Sequence, residues 1–403
     1  YYLTDGLGAK KGCKQLGKVL AVLFACFCIL ASFGIGNMSQ INSISGNMNA
    51  AFGVPTLVTG LCLMAVTALI VIGGLKRVAA VTEKLVPLIQ QVTAHADRVD
   101  DAPLHRDYPV AIQRQFSDFI MDVMDIDRDH CIIGETEHPF TINFSRDDVR
   151  ITTHYFPDQV ASSLYSVVHE GGHALYELHT GRELARTCLG NGVSMGIHES
   201  QSRFYENIIG RSRAFCSVLL PWLKEHFPEQ LVDVTEEQFY RMVNRSQPSL
   251  IRTEADELTY CLHIMVRYEL EKQMFAGTIT AHDLPAAWNR LYKEYLGVDV
   301  PSDREGVLQD SHWANGNIGY FPSYAIGSAY GAQYLLEMQK DLDVEAAVRS
   351  GKLTAINRWL EEKIWKYGCM KDPVALFESV CGPFRPEEYV AYLEKKFTEI
   401  YEL

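Results

Sequence analysis

Two histidines near the middle of the sequence have a spacing that suits a metal ion. His169-Glu170-Gly171-Gly172-His173 follows the pattern His-Glu-x-x-His. Residues four apart lie on one face of an α-helix, so both imidazoles can reach the same Zn²⁺. Glu170 lies one step round that helix and can serve as general base for a water molecule that the ion activates. The segment therefore predicts a metal-dependent hydrolytic site.

The two adjacent glycines of this segment, Gly171 and Gly172, are unusual inside a helix. Each costs about 1 kcal/mol of helix stability relative to alanine. A glycine inside a helical pattern often has a packing or functional reason. We therefore expect a second element to approach this turn closely.

A catalytic zinc site needs a third protein ligand and an open position for water. Glu177 lies four residues beyond the second histidine, but the three side chains would then extend over about 12 Å of helix and could not converge. The third ligand must therefore come from another helix. Such a helix is predicted after Ser194, a favourable N-cap residue, and it carries His198 and Glu199. Either residue could bind the metal, and the spacing leaves both open.

The elements that must position these residues are predicted from residue 89 onward, where charged residues recur every few positions. Apolar residues three and four positions apart predict amphipathic helices. The predicted helices cover residues 117–124, 162–179, 195–213, 236–244, 253–275, 283–295, 346–367 and 386–401. The alternation typical of a strand is confined to 149–155, and Asp303, Pro322 and Pro373 with nearby glycines mark connectors. The sequence thus predicts a mostly α-helical fold.

The first part of the chain has the composition of a membrane protein. Residues 19–75 contain no Asp, Glu, Lys, Arg or His, and the stretches 19–36 and 55–74 are each long enough to cross about 30 Å of hydrocarbon as a helix. Lysine or arginine occupies positions 10, 11, 14 and 18 before this region and 76, 77 and 84 after it. This distribution predicts a two-span transmembrane helical hairpin with both termini in the cytoplasm. The alternative is a pair of buried helices in a soluble protein.

The charge of the chain bears on its partners. The 403 residues carry a formal net charge of −13. The first 88 residues hold seven Lys or Arg against two acidic residues, so residues 89–403 carry the whole acidic excess. A nucleic-acid-binding protein would need a basic face. The charge therefore argues against nucleic acid as a partner.

The N-terminal apolar region resembles an internal piece of the sodium:alanine (alanine or glycine:cation) symporters. The resemblance covers about residues 1–88, and its most specific part is FGIGNMSQ-x-NSI at 33–44. It implies that Gly34, Gly36, Asn37 and Asn42 belong to a broken-helix substrate region in the parent transporter. Secondary transporters build their site between repeated halves, which two spans cannot supply. We do not expect this chain to transport amino acids by itself.

From about residue 85 to the C-terminus, the sequence resembles the carboxypeptidase Taq family of zinc metallopeptidases. The resemblance rests on ordered motifs over some 300 residues, the metal-binding pattern among them. The other motifs are HPF at 138–140, DVRIT at 148–152, HESQ at 198–201, IRTEAD at 251–256, GVLQDSHW at 306–313 and GYFPSY at 319–324.

This second resemblance implies a mechanism and a site. The metal ligands are then His169, His173 and Glu199, and Glu170 is the general base. The metal is Zn²⁺, with Co²⁺ or another divalent metal as the alternative. The implied reaction is removal of C-terminal amino acids from peptides with a free C-terminus, and the implied assembly is a homodimer. The implied fold is an α-helical metallopeptidase domain of the zincin type.

Arg252 is a candidate for binding the terminal carboxylate of the substrate. A guanidinium matches a carboxylate in a bidentate fashion. The alternative is an ordinary ion pair with Glu254 or Asp256, which follow it closely in the sequence.

Three further residues of the C-terminal motifs are candidates for the site. His312 and Tyr320 could donate hydrogen bonds to the oxyanion of a tetrahedral intermediate. The alternatives are a helix cap for His312 and a core position for Tyr320. Tyr324 is a candidate for substrate binding.

The two resemblances together predict a chimeric chain. Members of the carboxypeptidase family carry a longer helical N-terminal part, and symporter-like sequence stands in its place here. The switch falls near 82–88, which fits both families, so we predict a membrane fragment over residues 1–88 and a catalytic domain over residues 89–403. The hairpin would hold the peptidase domain at the cytoplasmic side of a membrane. A join at shared sequence suggests recombination or misassembly of sequence reads, and if the N-terminal fragment is an artefact, the domain is cytoplasmic.

Two other functions remain open from the sequence. One is a sodium-coupled amino-acid symporter fragment whose soluble part is incidental. The other is an inactive, membrane-tethered peptidase-like binding module. Metal binding without turnover would favour the second.

Overall fold

The computed structural model describes Gln15, Val19, residues 53–61, residue 81 and residues 83–403. The predicted spans at 19–36 and 55–74 therefore lie largely outside the described residues, as do the glycines and asparagines assigned to the transporter-like segment. Within the described part of the chain, no helix combines the length and the apolar character needed to cross a membrane.

The chain divides into two compact units. One contains residues 81–270, 287–300 and 321–403, and it includes the predicted metal-binding helix. The other includes residues 271–286 and 301–320.

The described chain after residue 81 is mostly helical, which confirms the predicted class of fold. Residues 83–94 are helical. The α-helices that follow are α1 (Val110–Val123), α2 (Val160–Leu178), α3 (Met195–Arg203), α4 (Arg213–His226), α5 (Pro228–Leu231), α6 (Glu236–Val243), α7 (Glu257–Phe275), α8 (Leu284–Leu296), α9 (Pro322–Asp341), α10 (Val344–Arg349), α11 (Thr354–Lys363), α12 (Pro373–Cys381) and α13 (Pro386–Tyr401). A π-helical turn, Phe204–Ile209, extends α3, and 3₁₀ turns occupy Ala96–Arg98, Ala102–His105, Arg182–Leu184, Arg252–Glu254, Trp313–Asn315 and Trp365–Tyr367.

Several helix boundaries differ from the prediction for reasons of capping. The predicted helix at 195–213 ends in the π-helical turn, and α4 begins after Ser212, whose hydroxyl accepts a hydrogen bond from a backbone N–H of the first turn. The predicted connectors at Pro322 and Pro373 were wrong. Each proline starts a helix, because proline lacks only an N–H that is unpaired at that position anyway.

A three-stranded sheet covers one side of α2. The strands are β1 (Cys131–Glu135), β2 (Thr141–Ser145) and β3 (Asp148–Thr153), in the order β1-β3-β2. β1 is parallel to β3, whereas β2 is antiparallel to it and forms one edge. The alternation at 149–155 predicted only β3. Both β2 and β3 contact α2, which places the sheet against the helix predicted to bind the metal.

Helix α2 lies at the centre of its unit. It contacts α1, α3, β2, β3 and the π-helical turn, and α3 in turn contacts α9. Most residues of α2 from Val160 to Leu178 are buried, including the fully buried Val167, Leu175 and Tyr176. A helix that is buried on nearly all sides is a rigid support for the residues it carries.

Candidate metal centre

Helices α2 and α3 bring three potential metal ligands together. One ligand atom from each of His169, His173 and Glu199 lies within 4.8 Å of the others. The Glu199 Oε2 atom is 3.5 Å from His173 Nε2 and 3.8 Å from His169 Nε2. The two imidazole rings are 5.0 Å apart and nearly perpendicular. The three ligand atoms are close enough together to bind one metal ion.

Glycine permits the close approach of the helices that form this cluster. A Cβ atom on Gly172 of α2 would lie 2.8 Å from Ser202 Cα and 2.9 Å from Gln201 O, both in the backbone of α3. A Cβ atom on Gly327 of α9 would lie 2.7 Å from Glu199 Cγ. Such distances are shorter than real Cβ contacts. The close approach expected from the paired glycines is therefore present at Gly172.

A carboxylate orients the first histidine. His169 Nδ1 lies 2.8 Å from Glu206 Oε2, which belongs to the π-helical turn after α3. Because a carboxylate only accepts hydrogen bonds, Nδ1 donates to it and Nε2 is left with its lone pair facing the cluster. Partners of this kind commonly fix the tautomer of a metal-binding histidine.

A second histidine orients the other ring. His173 Nδ1 lies 2.7 Å from His198 Nδ1, and His198 Nε2 lies 2.7 Å from Glu177 Oε1. His198, which the sequence left open as a ligand, and Glu177, which helix geometry excluded, thus stand outside the three-residue cluster, on the Nδ1 side of His173.

Arg203 fixes the Glu199 carboxylate from the other side. Its Nε donates to Glu199 Oε1 at 2.8 Å, and its Nη1 donates to Glu206 Oε2 at 3.1 Å. Burial raises the pKa of the Glu199 carboxyl, but the charges of His169 and Arg203 outweigh burial and hold that pKa well below its ordinary value. Burial also opposes ionisation of Glu206, yet Arg203 and His169 lower its pKa to about 2. Both carboxyl groups are therefore anionic at neutral pH.

Glu170 lies beside the cluster without belonging to it. Its side chain is largely buried. The Thr141 hydroxyl of β2 donates a 2.6 Å hydrogen bond to Glu170 Oε2. The sheet therefore supplies a hydrogen-bond donor that orients the predicted general base.

Arg252 lies in a buried aromatic environment that connects to the cluster. Its guanidinium donates to Tyr260 Oη at 3.0 Å and stands 5.0 Å from the ring centre of Tyr324. The guanidinium of Arg203 stacks on the ring of the same Tyr260, 3.9 Å from its centre. Asp256, one of the acidic residues considered as its partner, accepts hydrogen bonds from the backbone at the start of α7 and caps that helix.

His312 and Tyr320 belong to the other unit and lie together there. Their ring centres are 5.4 Å apart, and His312 Nδ1 is 4.0 Å from Asp310 Oδ1. His312 precedes a 3₁₀ turn at Trp313–Asn315, and neither Tyr320 nor His312 is fully buried. Their predicted role in binding an oxyanion stays a prediction.

Sequence reasoning missed four residues that support the site, namely Arg203, Glu206, Thr141 and Asn143. A signal for two of them was present. Positions 199, 203 and 206 follow the three- and four-residue spacing of one helix face, and they carry alternating charges. Thr141 and Asn143 of β2 donate hydrogen bonds to Glu170 and Glu177, respectively. They left no such signal, because these partners lie about 30 positions away in the sequence.

The residues present fit a divalent metal of the zinc type. Two imidazoles and one carboxylate are a donor set that proteins use for catalytic Zn²⁺, with a further position left for water. Both histidine Nδ1 atoms have partners, so both Nε2 atoms can bind the ion. A helical fold that carries this cluster is typical of metallopeptidases.

Comparison with known proteins identifies the family. Residues 76–397 match the model of the Carboxypeptidase Taq (M32) metallopeptidases, and the chain belongs to this family. Carboxypeptidase 1 of Bacillus subtilis (strain 168) is 40% identical over 325 residues, which cover 80% of this chain and 65% of that protein. The crystal structure of an M32 carboxypeptidase from Deinococcus radiodurans R1 superposes with a TM-score of 0.79 at 39% identity, covering 81% of this chain and 66% of that one. The chain thus spans just under two thirds of the length of these relatives.

The N-terminal region matches a different family. Residues 1–93 match the model of the sodium:alanine symporter family. The sodium/alanine symporter AgcS of Methanococcus maripaludis is 45% identical over 89 residues, which cover 22% of this chain and 19% of that protein. Both resemblances seen in the sequence are therefore confirmed, and the chain combines parts of two families.

Proposed function

We propose that the protein is a zinc carboxypeptidase that removes C-terminal amino acids from peptides with a free C-terminus. The observation that carries this proposal is the convergence of His169, His173 and Glu199, with Glu170 one residue from the first ligand. Membership of the carboxypeptidase Taq family supports it. A sodium symporter is not favoured as the main function, because the match to that family ends at residue 93.

His169, His173 and Glu199 would hold the ion, and Zn²⁺ is the favoured metal. When bound, it would polarise the scissile carbonyl and lower the pKa of a water molecule. Glu170 accepts the proton of the attacking water and passes it to the leaving amine. The Thr141 hydroxyl at 2.6 Å keeps the Glu170 carboxylate turned in one direction during this transfer.

Other residues would bind the substrate. Arg252 would bind the terminal carboxylate through its guanidinium, and Tyr324 would form part of the same subsite, since the two side chains are in contact. His312 and Tyr320 would donate hydrogen bonds to the oxyanion of the tetrahedral intermediate.

The N-terminal part would attach the enzyme to a membrane. In this proposal residues 1–88 form the symporter-like fragment, with a hairpin at 19–36 and 55–74, and residues 89–403 form the catalytic domain. The match to the symporter family supports membrane association. The positive charges at both outer ends support a cytoplasmic peptidase domain. We further propose a homodimer and no nucleic-acid partner.

The proposed activity is tested with the full chain in detergent. We expect about one metal ion per chain and release of the last amino acid from an N-blocked dipeptide. The same dipeptide amidated at its C-terminus should resist cleavage, because Arg252 needs a carboxylate. Glu199→Ala should lose the metal. Metal binding without any cleavage would instead support the binding module, and equal cleavage of the amide would contradict a carboxypeptidase.

The proposed topology is tested separately. Reporter domains fused after Arg77 and within the connector at Asn42 should report opposite sides of the membrane. Reporters on the same side would contradict the hairpin without affecting the proposed chemistry.

A further inference from the structure

We propose that Glu177 and His198 are positioning residues that fix the tautomer and the orientation of His173. The proposal rests on the proposed function, because it assigns His173 as a metal ligand. Neither positioning residue would touch the metal or the substrate. Both would act through the Nδ1 atom of His173.

The direction of the hydrogen bonds follows from the chemistry of the three groups. The carboxylate of Glu177 can only accept, so His198 donates to it from Nε2 across 2.7 Å. A neutral imidazole has one N–H, which leaves His198 Nδ1 as an acceptor. His173 therefore donates from its Nδ1 across 2.7 Å. This leaves the lone pair of His173 Nε2 directed at the cluster with Glu199.

The hydrogen bonds from His173 to His198 and from His198 to Glu177 form a relay. Its carboxylate end, Glu177, is held in place by further hydrogen bonds. Glu177 Oε1 also accepts from the backbone N–H of Gly192 at 3.1 Å, and Glu177 Oε2 accepts from Asn143 Nδ2 at 2.8 Å. The Glu177 side chain is only 5% exposed. A buried carboxylate with donors on both oxygens cannot turn away from His198 without leaving hydrogen bonds unmade.

The imidazole of His198 is confined as well. A Cβ atom on Gly192 would lie 2.8 Å from His198 Cδ2, so only glycine lets the loop lie against this ring. The Tyr176 ring stands 5.0 Å away on another side. The ring therefore has little freedom to rotate, and its two nitrogens keep distinct partners.

Both proposed histidine ligands have Nδ1 linked to a carboxylate, but one link is direct and the other passes through the relay. His169 donates its Nδ1 proton directly to Glu206, whereas His173 donates to a carboxylate through one additional imidazole. In both cases Nδ1 is occupied and Nε2 is available. Residues of this kind typically contribute 10- to 100-fold to metal affinity.

Two amide substitutions test the two ring nitrogens of His198 one at a time. The asparagine amide overlaps the position of Nδ1, and the glutamine amide overlaps the position of Nε2. His198→Asn can still accept the proton of His173 through its amide oxygen, although it loses Glu177. His198→Gln keeps a group near Glu177 but cannot reach His173. The relay therefore predicts that asparagine rescues most of what glutamine loses.

The experiment measures the Zn²⁺ dissociation constant of the full chain by competition with a chelating dye. We expect His198→Gln to weaken binding by about 10- to 100-fold and His198→Asn by less than about tenfold. His179→Gln is the matched control. It changes a histidine of the same region whose Nδ1 pairs with the Leu175 carbonyl, and we expect unchanged affinity.

Thermal unfolding of the metal-free variants distinguishes positioning from general stability. Wild-type affinity in His198→Gln would overturn the proposal. Equal weakening in both substitutions, matched by equal losses of metal-free stability, would also overturn it and leave a structural role. If the wild-type chain binds no metal, the proposed function fails, and the relay fails with it.

Discussion

Replacing Gly172 by alanine should separate the two helices that carry the proposed metal ligands. The new Cβ would lie 2.8 Å from Ser202 Cα, whereas ordinary contacts begin at 3.4 Å. The backbone of α3 must therefore move by about 0.6 Å, which is three times the tolerance of about 0.2 Å for a metal–ligand distance. Glu199 lies on α3 and would move with it. We expect the affinity for Zn²⁺ to fall by at least tenfold.

We expect only a modest loss of folding stability in Gly172→Ala, because overpacking and the higher helix propensity of alanine act in opposite directions. Overpacking a close contact typically costs about 1–3 kcal/mol. Alanine in place of glycine inside a helix stabilises the helix by about 1 kcal/mol. The free energy of unfolding of the metal-free Gly172→Ala chain should therefore fall by no more than about 2 kcal/mol.

The adjacent glycine provides a matched control. A Cβ on Gly171 would meet the end of the Met124 side chain at 2.8 Å, and a thioether can turn aside where backbone cannot. Gly171→Ala should keep the wild-type affinity for Zn²⁺, with metal-free stability within about 1 kcal/mol of wild type. Isothermal titration of both metal-free chains with Zn²⁺ measures the difference. Equal affinities in the two variants would show that the contact at Gly172 does not set the ligand geometry.

Two further predictions concern the residues around Glu199. Gly327→Ala should weaken metal binding as Gly172→Ala does, because its Cβ would lie 2.7 Å from Glu199 Cγ; a Zn²⁺ titration showing wild-type affinity would contradict this. Arg203→Lys keeps the charge but cannot keep both hydrogen bonds, one to Glu199 and one to Glu206, so the affinity for Zn²⁺ should fall by about 10- to 100-fold. Arg211→Lys makes the same change at an arginine that contacts Glu206 but not Glu199, and it should change this affinity less. Equal losses in the two variants would contradict a specific role for the contact between Arg203 and Glu199.

The sequence predicted the metal-binding helix and the need for a second helix, because both follow from local periodicity and from the reach of side chains. It could not choose between His198 and Glu199. That choice depends on the face by which α3 contacts α2, which is set at Gly172 by atoms some 30 residues away in the chain. The family resemblance implied Glu199, and the structure brings Glu199 to the two histidines.

The sequence did not predict β2, because the pattern of this strand is opposite to that of an ordinary half-buried strand. Its apolar residues Ile142 and Phe144 are 44% and 67% exposed. Its polar residues Thr141 and Asn143 point towards α2, where they bind the carboxylates of Glu170 and Glu177. Hydrophobic periodicity cannot identify a strand whose inner face serves a polar site.

The most direct test of the proposed chemistry measures metal content and turnover on one preparation of the Glu170→Gln chain. Glu170 lies outside the ligand cluster, so metal content should equal that of wild type, at about one ion per chain. An amide cannot accept the proton of the attacking water, so release of the C-terminal residue should slow by about 10²- to 10⁴-fold. A metal-loaded Glu170→Gln chain that keeps more than about a tenth of the wild-type rate would contradict the assignment of Glu170 as general base.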